Sequence, residues 1–236
     1  MKRLLLIVLF ASAARAHDFW IEPSTFRPTA GEVFTASLLV GQDFLGDPVP
    51  RSATLLDTFV VRSAAGEQAV GGFENRDPAG FVRLDGAGTA VIGYRSKASS
   101  VELTPEKFAQ FLREEGITGV PVAPRTHRER FYRFAKTIVQ VGEPRTMPQP
   151  FGWRFELVPS SGGFQLLFER KPLAKAMVTA IAADGRRLTA RTDARGHVSF
   201  DLSKGIWLVK ATHLVHAPAD SGVEWESLWA SLTFER

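Results

Sequence analysis

The residue with the most distinctive chemistry in this chain is His17, because of the residues that precede it. Lys2 and Arg3 come before an apolar run, and Ala14-Arg15-Ala16 places small residues at positions −3 and −1 of the bond before His17. This pattern is typical of a signal peptide that is cleaved after Ala16. Cleavage would make His17 the first residue, whose α-amine and imidazole Nδ1 can bind one metal ion together. We therefore expect a periplasmic protein with a metal ligand at its N-terminus, unless His17 follows the cleavage site by chance.

His213 is the second candidate metal ligand. In the segment that ends in Ala211-Thr212-His213, strand alternation places His213 on the same face as Trp207 and Val209. A histidine on the core-facing side of a strand, at the end of that strand, lies at the rim of the core. Such a partly buried imidazole, held by a rigid strand, suits a metal ligand. A hydrogen-bonded core histidine would show the same pattern.

His216 is a weaker candidate than His213. On a strand the two histidines face opposite sides, so that joint ligation needs a turn at Val215. His127 lies beside Arg128 and Arg130 in a polar segment, and we expect it to be a solvated surface residue.

A carboxylate could complete a metal site or orient a ligand histidine. Asp18, which follows His17 directly, is the first candidate for this role. The sequence offers three other carboxylates near the candidate histidines or the tryptophans, and it does not choose among them: Glu22, Glu224 and Glu226.

Composition excludes several function classes. The full chain has 29 basic and 25 acidic residues, but three of the basic residues leave with the signal peptide, so nucleic-acid binding has no electrostatic basis. No later apolar stretch approaches the length of a membrane span, so we expect no membrane insertion after cleavage. The absence of cysteine excludes disulfides and thiolate metal sites. The common motifs of hydrolases and nucleotide-binding enzymes are missing, and we expect a protein that is not an enzyme.

The elements that would position these residues are mainly strands. Alternation in 34–40, with Phe34, Ala36 and Leu38 on one face, predicts a strand, and similar segments recur up to Phe234. The run at 131–141 fits both a helix and a strand, and its β-branched residues favour a strand from about Arg133. We expect an all-β protein with two Ig-like or fibronectin-like β-sandwich domains.

One segment has a helical period. Thr104-Pro105-Glu106 is a typical helix start, Phe108, Phe111 and Leu112 share one helix face, and Gly116 is placed to end the helix. We therefore predict one short helical insertion in the first sandwich.

The richest proline segment, 142–150, predicts a domain boundary. The expected organisation is a signal peptide over 1–16, an N-terminal β-sandwich with the helical insertion over 17–145, and a C-terminal β-sandwich of the carboxypeptidase-regulatory type over 151–236. Trp20, Trp225 and Trp229 are expected to pack in cores rather than to bind ligands.

Several blocks together resemble a family of exported bacterial proteins that is defined as a domain of unknown function. Members are described as periplasmic components that accompany nickel/cobalt transport systems. The resemblance implies a periplasmic two-domain β protein that binds a transition metal, with possible ligand roles for His17 and His213. The blocks that carry it, of which the first and last are the most specific, are 16–23 (AHDFWIEP), 40–48 (VGQDFLGDP), 107–116 with 128–137, 171–173 (KPL) and 225–234 (WESLWASLTF).

Three functions compete at this point. The first is a non-enzymatic carrier that binds a divalent transition metal, nickel or cobalt, through His17 and His213 and hands it to a membrane metal transporter. The second uses the same N-terminal histidine for copper, as a copper chaperone or a copper redox enzyme; nitrogen ligands suit both Ni²⁺ and Cu²⁺. The third is a β-sandwich scaffold module that binds no metal.

Overall fold

A computed structural model describes residues 18–144 and 147–236 of this protein. Within these residues the regular elements are one helix and a set of strands, so the predicted all-β sandwich fold with a short helix is confirmed. No helix in the described ranges has the length and the apolar character needed to cross a membrane.

The first half of the chain contains nine strands and the helix among its described residues. In chain order they are β1 (Asp18–Pro23), β2 (Val33–Gln42), β3 (Leu45–Val49), β4 (Leu56–Ser63), β5 (Gly66–Ala69), β6 (Gly80–Arg83), β7 (Gly88–Ser96), β8 (Ser99–Leu103), α1 (Pro105–Glu114) and β9 (His127–Val141).

The second half contains the remaining described strands. They are β10 (Phe155–Ser160), β11 (Gly163–Phe168), β12 (Lys171–Pro172), β13 (Met177–Ala182), β14 (Arg187–Arg191), β15 (His197–Val198), β16 (Ile206–His216) and β17 (Trp225–Glu235).

A large sheet, called the central sheet here, runs through both halves. Its strand order is β14-β13-β16-β17-β9-β7-β4-β5, and β8 pairs with the start of β9. The first small sheet consists of β1, β2, β3 and β6, and the second small sheet of β10, β11, β12 and β15.

The two small sheets pack on opposite faces of the central sheet. On β9, Ala135 and Val139 belong to the core beneath the first small sheet, whereas Phe134 belongs to the core beneath the second. Because successive side chains of a strand point to opposite faces, the two cores lie on the two sides of one sheet and overlap at β9.

The segment 142–150, predicted as a domain boundary, lies between β9 and β10. The sheet nevertheless continues across this boundary, because β9 pairs in parallel with β17, the last strand. Whether the two halves fold as separate units stays a prediction, but they share backbone hydrogen bonds.

Helix α1 begins and ends as the sequence predicts. The Thr104 hydroxyl accepts a hydrogen bond from the Lys107 amide at 3.4 Å, which caps the first turn. The apolar face packs on the central sheet against two of the tryptophans, in a cluster that contains Phe108, Phe111, Leu112, Trp225 and Trp229. All three tryptophans expected in cores, including Trp20, are buried.

Strand β9 corrects two predictions. It begins at His127 rather than near Arg133, and His127 is fully buried instead of solvated. The physical reason is the helix: the His127 ring stacks on Phe108 with ring centroids 4.1 Å apart. The two ring nitrogens lie 3.2 Å from a Glu224 carboxylate oxygen and 3.2 Å from the Ala123 carbonyl oxygen, which replace water.

Candidate functional site

His17 lies outside the described residues, which begin at Asp18. Asp18 is the first residue of β1 and pairs with Gly41 of β2. Strand β1 also lies against the central sheet, where the Thr233 hydroxyl of β17 donates a hydrogen bond to the Ile21 carbonyl at 2.6 Å. The chain next to His17 is therefore held between two sheets.

Asp18 is buried in a cluster of charged groups. The ammonium of Lys210, on β16, lies 2.5 Å from Asp18 Oδ1 and 3.0 Å from Oε1 of Glu115, the residue that caps the end of α1. The Thr212 hydroxyl donates to the other Glu115 oxygen at 2.7 Å. Lys210 and Thr212 are two residues apart on β16, so both point to the same face of the central sheet.

Burial governs the protonation of these groups. Burial raises the pKa of Asp18 to about 6, although the Lys210 ammonium pulls it down. Burial opposes the charged form of Lys210, but the two carboxylates outweigh burial and hold the pKa of Lys210 above its ordinary value. The cluster therefore carries one ammonium between two carboxyl groups.

A polar cavity of about 250 Å³ opens beside this cluster. Its charged lining consists of four carboxyl groups, Asp18, Asp43, Glu114 and Glu115, and two cations, Arg187 and Lys210. The Lys210 ammonium is already paired with two of the carboxyl groups. The cavity is therefore acidic overall, and its other two carboxylates, Asp43 and Glu114, lie at its rim.

The β2–β3 hairpin brings Asp43 to this rim. Asp43 and Phe44 form the two-residue turn, and both have positive φ, 54° and 62°, which non-glycine residues rarely adopt. Phe44 contacts Trp20 edge to face, with ring centroids 5.5 Å apart, and so helps to hold the turn. The Asp43 carboxylate lies 2.6 Å from Arg187 on the central sheet.

His213 lies on the other face of the central sheet. Its ring contacts Phe168 and Phe155 of the second small sheet, with centroid separations of 4.6 and 6.0 Å. Burial, together with the nearby Arg154 guanidinium, lowers the pKa of His213 below its ordinary value, which favours the neutral ring. The ring is partly buried at the rim of the second core, as the sequence predicts.

His216 is exposed at the end of β16 and stacks on Trp225 at 4.1 Å. It shares a face with Lys210, but six residues of extended strand separate the two by about 20 Å. The predicted ligands Asp18, His213 and His216 are thus not brought together. Their roles in metal binding stay predictions.

The described side chains do not form a complete metal site by themselves. Within 18–144 and 147–236, no three His, Asp or Glu side chains are grouped so that they could hold a metal ion. A site beside Asp18 would therefore need donors from His17 in addition to the carboxylates of the cavity.

Sequence reasoning missed Lys210, Glu115 and Asp43. Lys210 had a readable signal, since it is a charged residue inside the apolar strand segment Trp207-Leu208-Val209-Lys210-Ala211. A lysine in such a position needs a buried partner. Its partners come from residues 95 and 192 positions away, so spacing alone could not identify them.

Comparison with known families gives one result. Residues 14–215 match the family model described as a domain of unknown function, DUF4198. The chain belongs to this family. The DUF4198 match begins ahead of His17, covers the first half of the described fold and continues through the second half as far as β16. Searches among curated proteins and among solved structures found no match.

Proposed function

We propose that this protein is an exported carrier that binds a divalent transition metal at its mature N-terminus. The α-amine and imidazole of His17 supply two nitrogen donors, and carboxylates of the cavity beside Asp18 supply oxygen donors. The metal is cargo for a membrane transporter, and the protein turns over no substrate.

The observation that carries this proposal is the acidic cavity next to Asp18. Residue 17 is bonded to Asp18, and consecutive Cα atoms are about 3.8 Å apart, so donors on His17 have these carboxylates within reach. Asp43 and Glu114 suit the role because, unlike Asp18 and Glu115, they are not bonded to the buried Lys210. Asp43 pairs with the exposed Arg187 instead, and Glu114 accepts a hydrogen bond from Gln110.

The proposed donors favour a borderline metal ion. Amine and imidazole nitrogen with carboxylate oxygen suits Ni²⁺ and Co²⁺, and Cu²⁺ binds such donors more tightly still. Nickel or cobalt is our proposed cargo on the strength of the family resemblance described above. Copper redox chemistry is the competing function, and turnover of copper-loaded protein with ascorbate or peroxide would reveal it.

Native mass spectrometry of protein isolated from the periplasm tests the proposal. We expect a chain that begins at His17 and carries one transition-metal ion. A chain that begins elsewhere removes the amine donor and contradicts the proposed site.

Variants separate the proposed donors from other histidines. His17→Ala and Asp43→Asn should both weaken Ni²⁺ binding, measured by calorimetry on the mature protein. His216→Ala is the matched control, because His216 is exposed and distant from the cavity, and it should leave the affinity unchanged. Equal affinity in His17→Ala and wild type would exclude the proposed site.

A further inference from the structure

Lys210, Asp18 and Glu115 form an arrangement that can do covalent chemistry. An amine touches two carboxyl groups, with Nζ 2.5 Å from Asp18 Oδ1 and 3.0 Å from Glu115 Oε1. The three side chains are 9%, 6% and 6% exposed, so little water competes for these contacts. They come from three elements, β16, β1 and the end of α1.

The geometry is close to that needed for attack of the amine on the carboxyl carbon. Asp18 Cγ is bonded to Oδ1, the oxygen that touches Nζ. The distance from Nζ to Cγ therefore differs from the 2.5 Å between Nζ and Oδ1 by at most about one bond length. This brings it near the ~3–3.5 Å of a reactive contact. Burial favours the neutral amide over a pair of ions, because charged groups lose hydration in the protein interior.

Glu115 is placed to carry the proton that such a reaction must move. Its Oε1 touches Nζ, and its Oε2 accepts the Thr212 hydroxyl at 2.7 Å, which fixes the orientation of the carboxylate. The two carboxylates favour the ammonium form of Lys210, so the amine needs a proton acceptor in contact with it before it can act as a nucleophile.

We propose that Lys210 and Asp18 are joined by an intramolecular isopeptide bond. The Lys210 ammonium gives a proton to Glu115, and the Nζ lone pair forms a bond to Asp18 Cγ. One C–O bond of Asp18 then breaks. Its oxygen takes the proton held by Glu115 and a second proton from Nζ, and leaves as water. An ammonium and a carboxylate thus become one amide and one water, and Glu115 returns to its starting state.

A second buried lysine–carboxylate pair in the same chain provides an internal comparison. Lys136 Nζ lies 2.8 Å from Glu156 Oε1, and both side chains are buried. Glu156 also accepts hydrogen bonds from three backbone amides, those of Phe151, Gly152 and Trp153, which occupy both of its carboxylate oxygens. Among the described residues its ion-pair partner is Lys136, with no second carboxylate on that lysine. We expect this pair to remain ionic.

The bond would join β1, the first strand, to β16 of the central sheet. It links Asp18 to Lys210 across 192 positions of a chain that has no cysteine and therefore no disulfide. It would hold the residue bonded to His17 in place. It would also leave the net charge of the cavity unchanged, because one positive and one negative group disappear together.

The mass of the denatured mature protein tests the proposal. We expect the wild type to be lighter than its sequence by one water. A tryptic digest should contain a branched peptide that joins the segment with Asp18 to the segment with Lys210, uncut at Lys210. A mass equal to that calculated from the sequence, for folded protein kept at neutral pH, overturns the proposal. So does loss of water without a branch, as in a succinimide at Asp18, or a branch between Lys136 and Glu156.

Variants distinguish the proposed reaction from other losses of water. Lys210→Arg removes the nucleophile, and Glu115→Gln keeps Lys210 and Asp18 but removes the proton carrier. Both variants should have the mass calculated from their sequences, with no loss of water. Glu156→Gln, the matched control at the other pair, should still lack one water. Loss of water in Lys210→Arg contradicts the proposal, and loss of water at the wild-type extent in Glu115→Gln contradicts the role of Glu115.

Discussion

Asp18 and His213 lie on opposite faces of the central sheet. Asp18 contacts Lys210, whereas His213 contacts Phe155 and Phe168 of the second small sheet. Lys210 and His213 are three residues apart on β16, which places their side chains on different sides. The first residue after His17 is therefore separated from His213 by the sheet. For this reason the proposed partners of His17 are carboxylates on the Asp18 side of the sheet.

His213→Ala should leave metal affinity unchanged and lower thermal stability. The substitution removes a ring that contacts two phenylalanines, but it removes no group of the acidic cavity. Calorimetric titration with Ni²⁺ and a thermal melt of the same samples check both parts. A tenfold loss of affinity in this variant would instead support an ion shared by His17 and His213.

Much of the fold is predictable from the sequence because its signals are local. The alternation of Phe34, Ala36 and Leu38 defines a strand, and Thr104-Pro105 defines the start of the helix. The pairing of β9 with β17 is not predictable in this way, since it joins residues about a hundred positions apart. The burial of His127 likewise depends on α1, which packs over it.

The candidate site was predictable to a smaller extent. Asp18 was among the expected residues, but the groups around it come from a hairpin turn, a helix end and a distant strand. Asp43, Glu115 and Lys210 meet only when the chain is folded. A charged residue inside an apolar strand was the one local signal of a buried ionic cluster.

Cleavage of the backbone within 142–150 should not separate the two halves. Strands β9 and β17 pair over nine residue positions, from Glu129 with Trp225 to Thr137 with Thr233. A protease site inserted in this segment of the full-length mature chain, followed by size-exclusion chromatography after cleavage, checks the prediction. The fragments should elute together. Separate elution of two folded fragments would show that the halves are independent domains.

Glu129→Gln should gain stability relative to wild type as the pH rises. Burial raises the pKa of Glu129 to about 7, against the lowering effect of its hydrogen bond from the Ser227 hydroxyl. The ordinary value is 4.5, so the folded protein holds this proton more tightly than the unfolded chain. The contribution to stability is full below pH 4.5 and is lost as the pH rises through about 7.

Urea denaturation of both proteins between pH 4 and pH 8 checks this prediction. Glutamine stays neutral, so only wild type loses this contribution. From pH 4 to pH 8 the unfolding free energy of the variant should rise by about 3 kcal/mol relative to that of wild type. A difference that stays constant with pH would mean that Glu129 titrates near its ordinary pKa.

Glu156→Ala should be strongly destabilising. It would leave the buried Lys136 ammonium without its partner and three backbone amides without their acceptor. Breaking one side of a buried ion pair costs about 3–5 kcal/mol. Urea denaturation at pH 7 measures the loss. Asp85→Ala is the control, because its ion pair with Arg83 is exposed and should be worth less than about 1 kcal/mol.

The Ni²⁺ affinity of the mature protein with and without one alanine ahead of His17 tests metal binding by the N-terminal amine. Both forms are released from a leader by a protease that defines the first residue. The insertion moves the α-amine away from the imidazole and leaves every described side chain unchanged. We predict that the extended form binds Ni²⁺ at least tenfold more weakly than wild type at pH 7.5. The affinity of wild type should itself fall as the pH decreases through the titrations of the imidazole and the α-amine. Equal affinity of the two forms would contradict metal binding by the N-terminal amine of His17.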